Sequence, residues 1–208
     1  MRIGIIGTGR IASRFADTAF VGIESAYVSC VYNPKAESAE KFAIQHRIEN
    51  YTDSLEELTM LTDAVYIASL HETHYEYAKY MLNNKKHVLC EKPAVLKKAQ
   101  AEELYSLAKE NNVVFMEAVK TAYCPGFHAM MAAAKSGKIG RIIDVEAAFS
   151  RLTPVNTREY MAQDYNGSFL EFGSYVCMPV FELLGCDCDD VRSVSYTHLR
   201  AHETAANL

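Results

Sequence analysis

Short apolar runs alternate with amphipathic stretches through the first 118 residues, and this alternation constrains the fold more than any other feature of the sequence. Strands that alternate with helices pair into a parallel sheet through right-handed crossovers. The apolar runs are nearly continuous, as expected for strands that helices cover on both faces. They predict strands at residues 2–6, 26–32, 64–68, 87–90 and 113–117, with helices at 10–20, 36–46, 74–83 and 97–111. The fold class is therefore α/β, with a doubly wound parallel sheet at the N-terminus.

The pattern changes after residue 118. Helices are predicted at residues 127–135 and 168–184, and strands at residues 140–150 and from residue 191 onward. These strands are too few to close a sheet of their own. We therefore place a domain boundary here: residues 1–118 form the first domain, and residues 119–193 begin an incomplete α+β domain with an open sheet.

A glycine-rich turn follows the first predicted strand. Gly7, Gly9 and Ala12 match the pattern G-x-G-x-x-G/A. The first glycine permits a tight turn, the second lets a pyrophosphate approach the backbone, and the alanine lets the helix lie close to the strand. The strand before the turn and the helix after it favour a dinucleotide-binding Rossmann fold over a turn without a ligand. The candidate cofactor contacts in this turn are Gly7, Thr8, Gly9, Arg10 and Ile11.

The residues after the second strand normally select between the two nicotinamide cofactors. An Asp or Glu there binds the ribose 2′-hydroxyl of NAD and repels the 2′-phosphate of NADP. This sequence has Tyr32-Asn33-Pro34-Lys35, with no carboxylate and with a lysine that could face a phosphate. We expect NADP or NAD, with NADP favoured, and take Asn33 and Lys35 as candidate contacts. The alternative is that Asn33-Pro34 is only a turn and that Lys35 is solvated.

Lys92 follows an apolar strand within Glu91-Lys92-Pro93, at the edge where parallel sheets bind ligands. Pro93 biases it toward an extended conformation. A partly desolvated lysine beside a nicotinamide ring could bind a substrate hydroxyl and help to move its proton. The alternative is a solvated lysine in a loop. We take Lys92 as a catalytic candidate, and Glu91 and Lys92 as candidate cofactor contacts.

Two further candidates lie in the loop after the strand predicted at residues 64–68. Such loops approach the nicotinamide half of a dinucleotide, and we expect Ser69 and His74 to contact it. A metal site at His71 and His74 is not predicted, because no carboxylate or cysteine partner is evident. The alternative is a pair of solvated histidines at a helix end.

Glu171 and Tyr175 are four residues apart on the helix predicted at 168–184, and therefore share one face of it. Tyr175 can donate a proton to a carbonyl oxygen or take one from an alcohol, and a nearby Lys92 ammonium would favour its phenolate. Glu171 could orient either group or bind a substrate hydroxyl. The alternative is that Tyr175 is a core aromatic residue whose hydroxyl group is hydrogen-bonded.

Composition excludes several classes of function. The net charge of -5, with scattered lysines and arginines, predicts no binding of nucleic acid or of an anionic membrane. No apolar stretch approaches the roughly 20 residues that span a bilayer. The six cysteines suggest free thiols in a reducing compartment, and Cys186 and Cys188 lack the spacing of a zinc site. We expect a cytoplasmic protein without a metal.

The last residues, 194–208, are polar and contain His198 and His202. They look like the translated sequencing-adapter tails that end some metagenomic gene models, and we interpret them as a non-native tail. The alternative is a natural, frayed C-terminus. On this interpretation, the two histidines are not a metal pair.

Several of these segments together resemble the Gfo/Idh/MocA family, the group of glucose–fructose oxidoreductase and inositol dehydrogenase. The resemblance covers residues 1–193, and its Glu-Lys-Pro segment is more specific than its glycine turn. Within the family, the chain is most similar to the dihydrodiol and xylose dehydrogenase branch, which favours NADP. The segments that carry the resemblance are residues 7–12, 63–68 with His74, 87–93, 115–118, 136–140 and 167–175.

The resemblance implies a Rossmann domain followed by an α/β domain whose open sheet often forms a dimer or tetramer interface. It implies that Lys92 is catalytic and that Tyr175 supplies the acid or base. It also implies a family length well beyond 208 residues, so we expect the chain to be C-terminally truncated and the full-length form to be a homo-oligomer.

The sequence departs from the family pattern at three places. Glu171 stands where the family usually has Asp, Leu70-His71 where Pro-Asn is common, and Ala122 where this branch often has Arg. Substrate recognition and the contacts of the nicotinamide loop can therefore differ from those of relatives.

These observations lead to one principal hypothesis of function. The chain is expected to be an NAD(P)-dependent oxidoreductase of a sugar, cyclitol or diol. Two alternatives remain: a non-enzymatic NAD(P)-sensing regulator of the same fold, and an inactive gene fragment that only binds the cofactor.

Overall fold

Six parallel strands form one sheet in a computed structural model that describes residues 1–152 and 167–194. The strands are β1 (Arg2–Ile6), β2 (Tyr27–Tyr32), β3 (Asn50–Thr52), β4 (Ala64–Ile67), β5 (His87–Cys90) and β6 (Phe115–Glu117). Their order is β3-β2-β1-β4-β5-β6, which is the order of a dinucleotide-binding Rossmann sheet. The strands β1 to β3 are added toward one edge of the sheet, whereas β4 to β6 are added on the other side of β1. The carboxyl ends of β1 and β4 therefore flank the crevice where such sheets bind ligands.

Helices connect the strands and continue beyond the sheet. Those between strands are α1 (Arg10–Thr18), α2 (Ala36–His46), α3 (Leu55–Leu61), α4 (His71–Asn83) and α5 (Lys98–Glu110). After β6 come a 3-10 helix (Lys120–Tyr123), α6 (Pro125–Lys135) and α7 (Ser168–Leu184).

Main-chain hydrogen bonds tie the loops to one another where the strands end. In each case, the first amide beyond one strand donates to a carbonyl at the end of its neighbour. The donors and acceptors are Gly7 to Tyr32 at 3.0 Å, Ala68 to Ile6 at 2.9 Å, Glu91 to Ile67 at 2.9 Å and Ala118 to Cys90 at 2.7 Å. The row extends from β2 to β6, so the loops that follow these strands start from fixed positions along one edge.

The core has two parts because successive side chains of a strand point to opposite faces of the sheet. Ile5 belongs to the cluster under α1 and α2, whereas its neighbour Ile6 belongs to the cluster under α4 and α5. Met81, Leu82 and Leu104 fill the second cluster and are fully buried. Each such side chain stabilises the fold by about 1.5–3 kcal/mol relative to an exposed one.

The structure confirms the doubly wound α/β fold and the five predicted strands, with end shifts of up to two residues. Three elements were missed: β3, α3 and the 3-10 helix at Lys120–Tyr123. The strand β3 is only the three residues Asn50–Thr52 at the edge of the sheet, too short for an apolar run to mark it. The helix predicted at residues 74–83 begins earlier, at His71.

The strand predicted at residues 140–150 is wrong, and none begins at residues 191–194. No residue after Glu117 is in a strand in the described part of the chain. A strand needs a neighbour to accept its hydrogen bonds, and no described segment lies beside residues 140–150 as a strand. Ile143, expected to face a core, is 77% exposed. The domain boundary near residue 118 stays a prediction, and most of the interpreted tail, 195–208, lies outside the described residues.

Gly4 provides a test of the packing between β1 and α3. A Cβ at this position would lie 2.8 Å from Thr62 Cγ2 and 2.9 Å from Leu58 Cδ1. We expect Gly4→Ala to lower the free energy of unfolding by about 1–3 kcal/mol, because the site has no room for a methyl group. Urea denaturation measures this change.

Gly126→Ala is the matched control, because only Cys124 Sγ, at 3.9 Å, would approach its Cβ. Gly126 lies in α6, where alanine should leave the stability unchanged or raise it by up to about 1 kcal/mol. Equal effects of the two substitutions would contradict the close approach of α3 to β1.

Candidate active site

A cleft of about 1420 Å³ opens along the carboxyl edge of the sheet. It is larger than the roughly 300–1,000 Å³ of ordinary ligand pockets, so it can hold a dinucleotide together with a small substrate. The glycine turn forms one wall, the loops after β4 and β5 form its floor, and α7 with Phe149 and Arg151 forms the opposite wall. Predicted site residues that line it are Gly7, Thr8, Gly9, Arg10, Ile11, Asn33, Ser69, His74, Glu91, Lys92, Glu171 and Tyr175.

The glycine turn has the shape of a phosphate cradle. Gly7 has a φ of +108°, and a Cβ on it would lie 2.6 Å from the carbonyl oxygen of Ala68. At Gly9, in contrast, a Cβ would meet nothing within 4 Å and would project into open space. No side chain caps the N-terminus of α1, and its first turn has no acidic residue. The exposed helix end and the open approach at Gly9 fit the pyrophosphate of a dinucleotide.

Asn33 connects the end of β2 to the glycine turn. Its Nδ2 donates to Thr8 Oγ1 at 2.9 Å, and its Oδ1 accepts from the main-chain N–H of Lys35 at 2.9 Å. The Asn33 side chain therefore both ends the strand and holds the turn. Lys35 lies at the start of α2 and is exposed, and it is not among the described residues that line the cleft. Its contact with a 2′-phosphate stays a prediction.

Lys92 reaches across the cleft to α7. Its Nζ lies 2.9 Å from Glu171 Oε2 and 3.0 Å from the main-chain oxygen of Glu171. The Lys92 and Glu171 side chains are 14% and 17% exposed. The structure thus joins the two side chains in a direct ion pair between positions 79 residues apart. That Glu171 orients the lysine for catalysis stays a prediction.

Tyr175 lies one helical turn beyond Glu171 and faces the same cleft. Burial, followed by the charges of Glu91, Glu171 and Glu117, raises the pKa of Tyr175 above its ordinary value. The expectation that Lys92 would favour the phenolate is therefore wrong for this arrangement. The Lys92 ammonium is neutralised by Glu171, while three carboxylates surround the phenol. Tyr175 is consequently a protonated group at neutral pH, suited to donating a proton.

Glu91 supports the lysine rather than exposing a free carboxylate. Its Oε1 accepts from the hydroxyl of Tyr66 at 2.5 Å, and its Oε2 accepts from the main-chain N–H of Lys92 at 3.3 Å. The Tyr66 ring stacks on Phe15 of α1 with centroids 3.8 Å apart. Burial, followed by the Glu91 charge, raises the pKa of Tyr66, so this hydroxyl stays a donor to Glu91.

His74 lies between two loops of the cleft. Its ring is fully buried, with Nδ1 2.9 Å from the carbonyl oxygen of Pro93 and Nε2 3.3 Å from that of Ser69. Both ring nitrogens lie near main-chain carbonyls, of which a neutral ring can donate to only one, so the ring joins two loops of the cleft. Because His74 also lines the cleft, its contact with the cofactor stays a prediction. Ser69 contributes its hydroxyl to a 2.7 Å contact with Thr73 Oγ1 at the start of α4.

Sequence analysis missed two side chains that complete the framework of the site. Glu117 Oε1 accepts from the main-chain N–H of Ala94 at 3.0 Å and from Ser174 Oγ at 3.5 Å, linking the Glu-Lys-Pro loop to α7. His71 Nε2 lies 3.6 Å from Glu171 Oε1. Both positions belong to the family resemblance, His71 as a departure from its pattern and Glu117 as a shared residue. Spacing in the sequence does not predict a contact partner for either.

Sequence analysis also missed an aromatic wall of the cleft. One of its residues lies within 140–150, where a strand was expected. Phe149 stacks on Phe172 with centroids 4.6 Å apart and lies 5.6 Å from the Tyr175 ring. The guanidinium of Arg151 lies 5.7 Å from the Phe172 centroid. These side chains line the part of the cleft beside Lys92 and Glu171, so they are candidates for holding a substrate ring.

Two other kinds of site were sought in residues 1–152 and 167–194. This part of the chain holds no group of three or more side chains that could ligate a metal ion. It also contains no helix with the length and apolar character to cross a membrane.

The buried His74 gives a testable dependence of stability on pH. Burial lowers its pKa below the ordinary 6.5. As the pH falls, the unfolded chain therefore binds a proton on this histidine at a higher pH than the folded chain does. The free energy of unfolding decreases as the pH falls from about 7 toward the lowered pKa of the folded state. We expect His74→Asn, which keeps a donor for the Pro93 carbonyl but cannot titrate, to lose less stability between pH 7.5 and pH 5 than the wild type does.

Urea midpoints at both pH values measure this difference, and His128→Asn is the control because that histidine is exposed on α6. An unchanged pH dependence in His74→Asn would contradict the assignment of a buried, neutral imidazole.

Comparison with known proteins agrees with the fold. Residues 1–119, more than half of the chain, match a family model described as "Oxidoreductase family, NAD-binding Rossmann fold". The chain is 36% identical to scyllo-inositol 2-dehydrogenase (NADP(+)) of Bacillus subtilis (strain 168), over 94% of this chain and 62% of that protein. It is 32% identical to trans-1,2-dihydrobenzene-1,2-diol dehydrogenase of Xenopus laevis, over 83% of this chain and 53% of that protein.

A solved structure is similar over most of the chain. It is a 3-ketoreductase from Actinomadura kijaniata in complex with NADP and TDP-benzene, with a TM-score of 0.78 and 27% identity, over 89% of this chain and 57% of that one. The chain spans about three fifths or less of the length of these relatives. The glycine turn, the sheet order and the family match lead to one conclusion: the chain belongs to the Gfo/Idh/MocA oxidoreductase family, with its NAD-binding Rossmann fold.

Proposed function

We propose that this protein is an NAD(P)-dependent oxidoreductase that transfers a hydride between nicotinamide and the hydroxyl- or carbonyl-bearing carbon of a sugar, cyclitol or diol. The observation that carries the proposal is the shared cleft. Lys92, paired with Glu171, and the protonated Tyr175 line the same cleft as the glycine turn of a dinucleotide cradle.

The names of the relatives support this class of substrate. One is a dehydrogenase of scyllo-inositol, another of a dihydrobenzene diol, and the ketoreductase was solved with a TDP compound. All three descriptions concern hydroxyl or keto groups on small rings. The aromatic wall of Phe149 and Phe172 beside Tyr175 is suited to the apolar face of such a ring.

Different side chains of the cleft have different roles in proton transfer. When bound, the nicotinamide gives or takes the hydride. The Lys92 ammonium has three N–H groups, of which two donate to Glu171, and the third can donate to the substrate oxygen. Tyr175, whose raised pKa keeps it protonated, donates a proton to the oxygen of a carbonyl during reduction. In oxidation the proton moves the opposite way, so Tyr175 must first have passed its own proton onward.

The choice of cofactor leans to NADP. Asn33, rather than an acid, ends β2, so no carboxylate there would repel a 2′-phosphate. The relative of Bacillus subtilis is named for NADP(+), and the ketoreductase was solved with NADP. A cytoplasmic location and a homo-oligomeric full-length form remain predictions.

Substitution of Lys92 tests the proposed reaction. We expect Lys92→Ala to lower the rate of NADP-linked oxidation of inositols, sugars and diols by about 100- to 10,000-fold, the range that positioned acid–base groups contribute. Affinity for the cofactor should fall much less than the rate, since the glycine turn is untouched and Lys92 is only one of the candidate cofactor contacts. Absorbance of the reduced nicotinamide measures the rate, and a fluorescence titration with NADP and NAD measures the affinity.

Lys98→Ala is the matched control, because Lys98 is exposed on α5 and pairs only with Glu102 among the described residues. Full activity in Lys92→Ala would refute the role of the lysine. Tight binding of a cofactor by the wild type, without turnover on any substrate, would favour the alternative of an NAD(P)-sensing regulator.

Substitutions of the two glycines of the turn are a second test. One should mainly weaken cofactor binding, and the other should lower stability. Gly9→Ala should change the stability by no more than about 1 kcal/mol, yet weaken cofactor binding at least about tenfold, because its methyl group would occupy the path of the pyrophosphate. Gly7→Ala should cost about 1–3 kcal/mol from backbone strain alone, because its φ is +108° and its Cβ would collide with Ala68.

Urea denaturation and cofactor titration of both variants measure these effects. Undiminished affinity in Gly9→Ala would show that no phosphate approaches the turn.

A further inference from the structure

A buried tyrosine is linked to the backbone of Lys92 through one glutamate. Tyr66 lies on β4, is 4% exposed and lines the cleft. Its hydroxyl donates to Glu91 Oε1 at 2.5 Å, and Glu91 Oε2 accepts from the main-chain N–H of Lys92 at 3.3 Å. The hydroxyl is therefore two hydrogen bonds away from the backbone of the candidate catalytic lysine.

The Tyr66 ring is also held by the helix of the cofactor cradle. It stacks on Phe15 of α1, with centroids 3.8 Å apart and an angle of 17° between the ring planes. Phe15 in turn makes an edge-to-face contact with Phe20 at 5.5 Å. Both arrangements are favourable for aromatic rings, and β4 is an inner strand with a neighbour on each side. The position of the Tyr66 hydroxyl is therefore fixed relative to the glycine turn that begins α1.

Glu91 depends on this donor to hold the lysine backbone. A glutamate side chain has several rotatable bonds, and ordering it costs rotamer freedom. Its bond from the Lys92 amide is at the long end of the range for N–H donors. Its bond from the Tyr66 hydroxyl is short, as expected for a hydroxyl that donates to a charged carboxylate. The tyrosine is thus the partner that orients the carboxylate.

We propose that Tyr66 is a positioning residue for the reaction, which acts through Glu91 to set where the backbone of Lys92 stands relative to the bound cofactor. The inference rests on the proposed function. Glu171 holds the lysine at its ammonium, whereas Glu91 and Tyr66 hold it at its main chain. The Tyr66 hydroxyl stays a donor to Glu91 throughout and exchanges no proton with the substrate.

A second tyrosine–glutamate pair outside the cleft provides a matched control. Tyr75 of α4 donates to Glu103 Oε2 of α5, also at 2.5 Å, and neither residue is among the described residues that line the cleft. Tyr66→Phe and Tyr75→Phe both keep the ring and remove one hydroxyl bonded to a carboxylate. Only the first of these bonds leads to Lys92.

Kinetics test the positioning role. We expect Tyr66→Phe to lower kcat of NADP-linked oxidation by about 10- to 100-fold, since misplacing a reacting group by about 1 Å can cost the larger factor. Cofactor affinity should stay near that of the wild type, because the ring is retained, and Tyr75→Phe should keep the wild-type kcat. An unchanged kcat in Tyr66→Phe would overturn the proposal. So would a loss of cofactor affinity at an unchanged kcat, which would make Tyr66 a cofactor contact.

Substitutions of Glu91 test whether the effect passes through this residue. A glutamine at this position can accept from the Lys92 amide with its oxygen and donate to the Tyr66 hydroxyl with its nitrogen. We therefore expect Glu91→Gln to retain more of kcat than Glu91→Ala does. Equal losses in the two variants would contradict a role that depends on these hydrogen bonds.

Chemical labelling follows the position of Lys92 without turnover. The Lys92 side chain is 14% exposed, whereas that of Lys98 is 89% exposed and provides an internal reference. We expect Tyr66→Phe to raise acetic anhydride labelling of Lys92 relative to Lys98 by about 2- to 10-fold, the factor by which one lost hydrogen bond shifts a local opening equilibrium. Mass spectrometry of the peptides measures this ratio.

Tyr75→Phe should leave the labelling ratio unchanged. No rise in Tyr66→Phe, or the same rise in both variants, would overturn the proposal. A wild-type chain without turnover would count against the proposed function instead, and the labelling comparison would then decide whether Tyr66 positions the lysine.

Discussion

Hydrogen bonds between the ends of neighbouring parallel strands are the constraint from which the rest of this structure follows. Gly7, Ala68, Glu91 and Ala118 each donate a main-chain N–H to the strand beside them. The glycine turn, the loop before α4, the Glu-Lys-Pro segment and the start of the second region therefore begin at fixed heights along one edge. A cofactor cradle and the candidate catalytic lysine can occupy one cleft because the sheet sets the spacing between the loops that carry them.

Carboxylates hold this edge together from inside. Glu91 accepts from Tyr66 and from the Lys92 main chain, and Glu117 accepts from Ala94 and from Ser174. Two acids therefore hold the backbone on both sides of the lysine while Glu171 holds its ammonium. Burial, followed by the charges of the same three carboxylates, raises the pKa of Tyr175. The acids that support the backbone therefore also add to the retention of the proton on the candidate acid.

Periodicity predicted the sheet well because β4 is fully buried, β1 is buried and apolar after Arg2, and β5 is apolar after His87. It failed for β3, a three-residue polar strand at the edge, and for residues 140–150, where alternation was present but no strand pairs with them among residues 1–152 and 167–194. Motifs located Lys92, Glu171 and Tyr175 in the same cleft. Sequence could not predict that the His74 ring lies between two carbonyls or that His71 approaches Glu171, because those contacts depend on how α4 and α7 are placed in space.

The two hydrogen bonds from Lys92 to residue 171 affect which substitutions such a site can accept during evolution. One of its two hydrogen bonds goes to the side chain of Glu171 and the other to the peptide oxygen of the same residue. A peptide oxygen is present whatever the residue, so the helix can anchor the ammonium while position 171 accepts a shorter, longer or uncharged side chain. Evolution can thereby retune the reactivity of the lysine for a new substrate without relocating it.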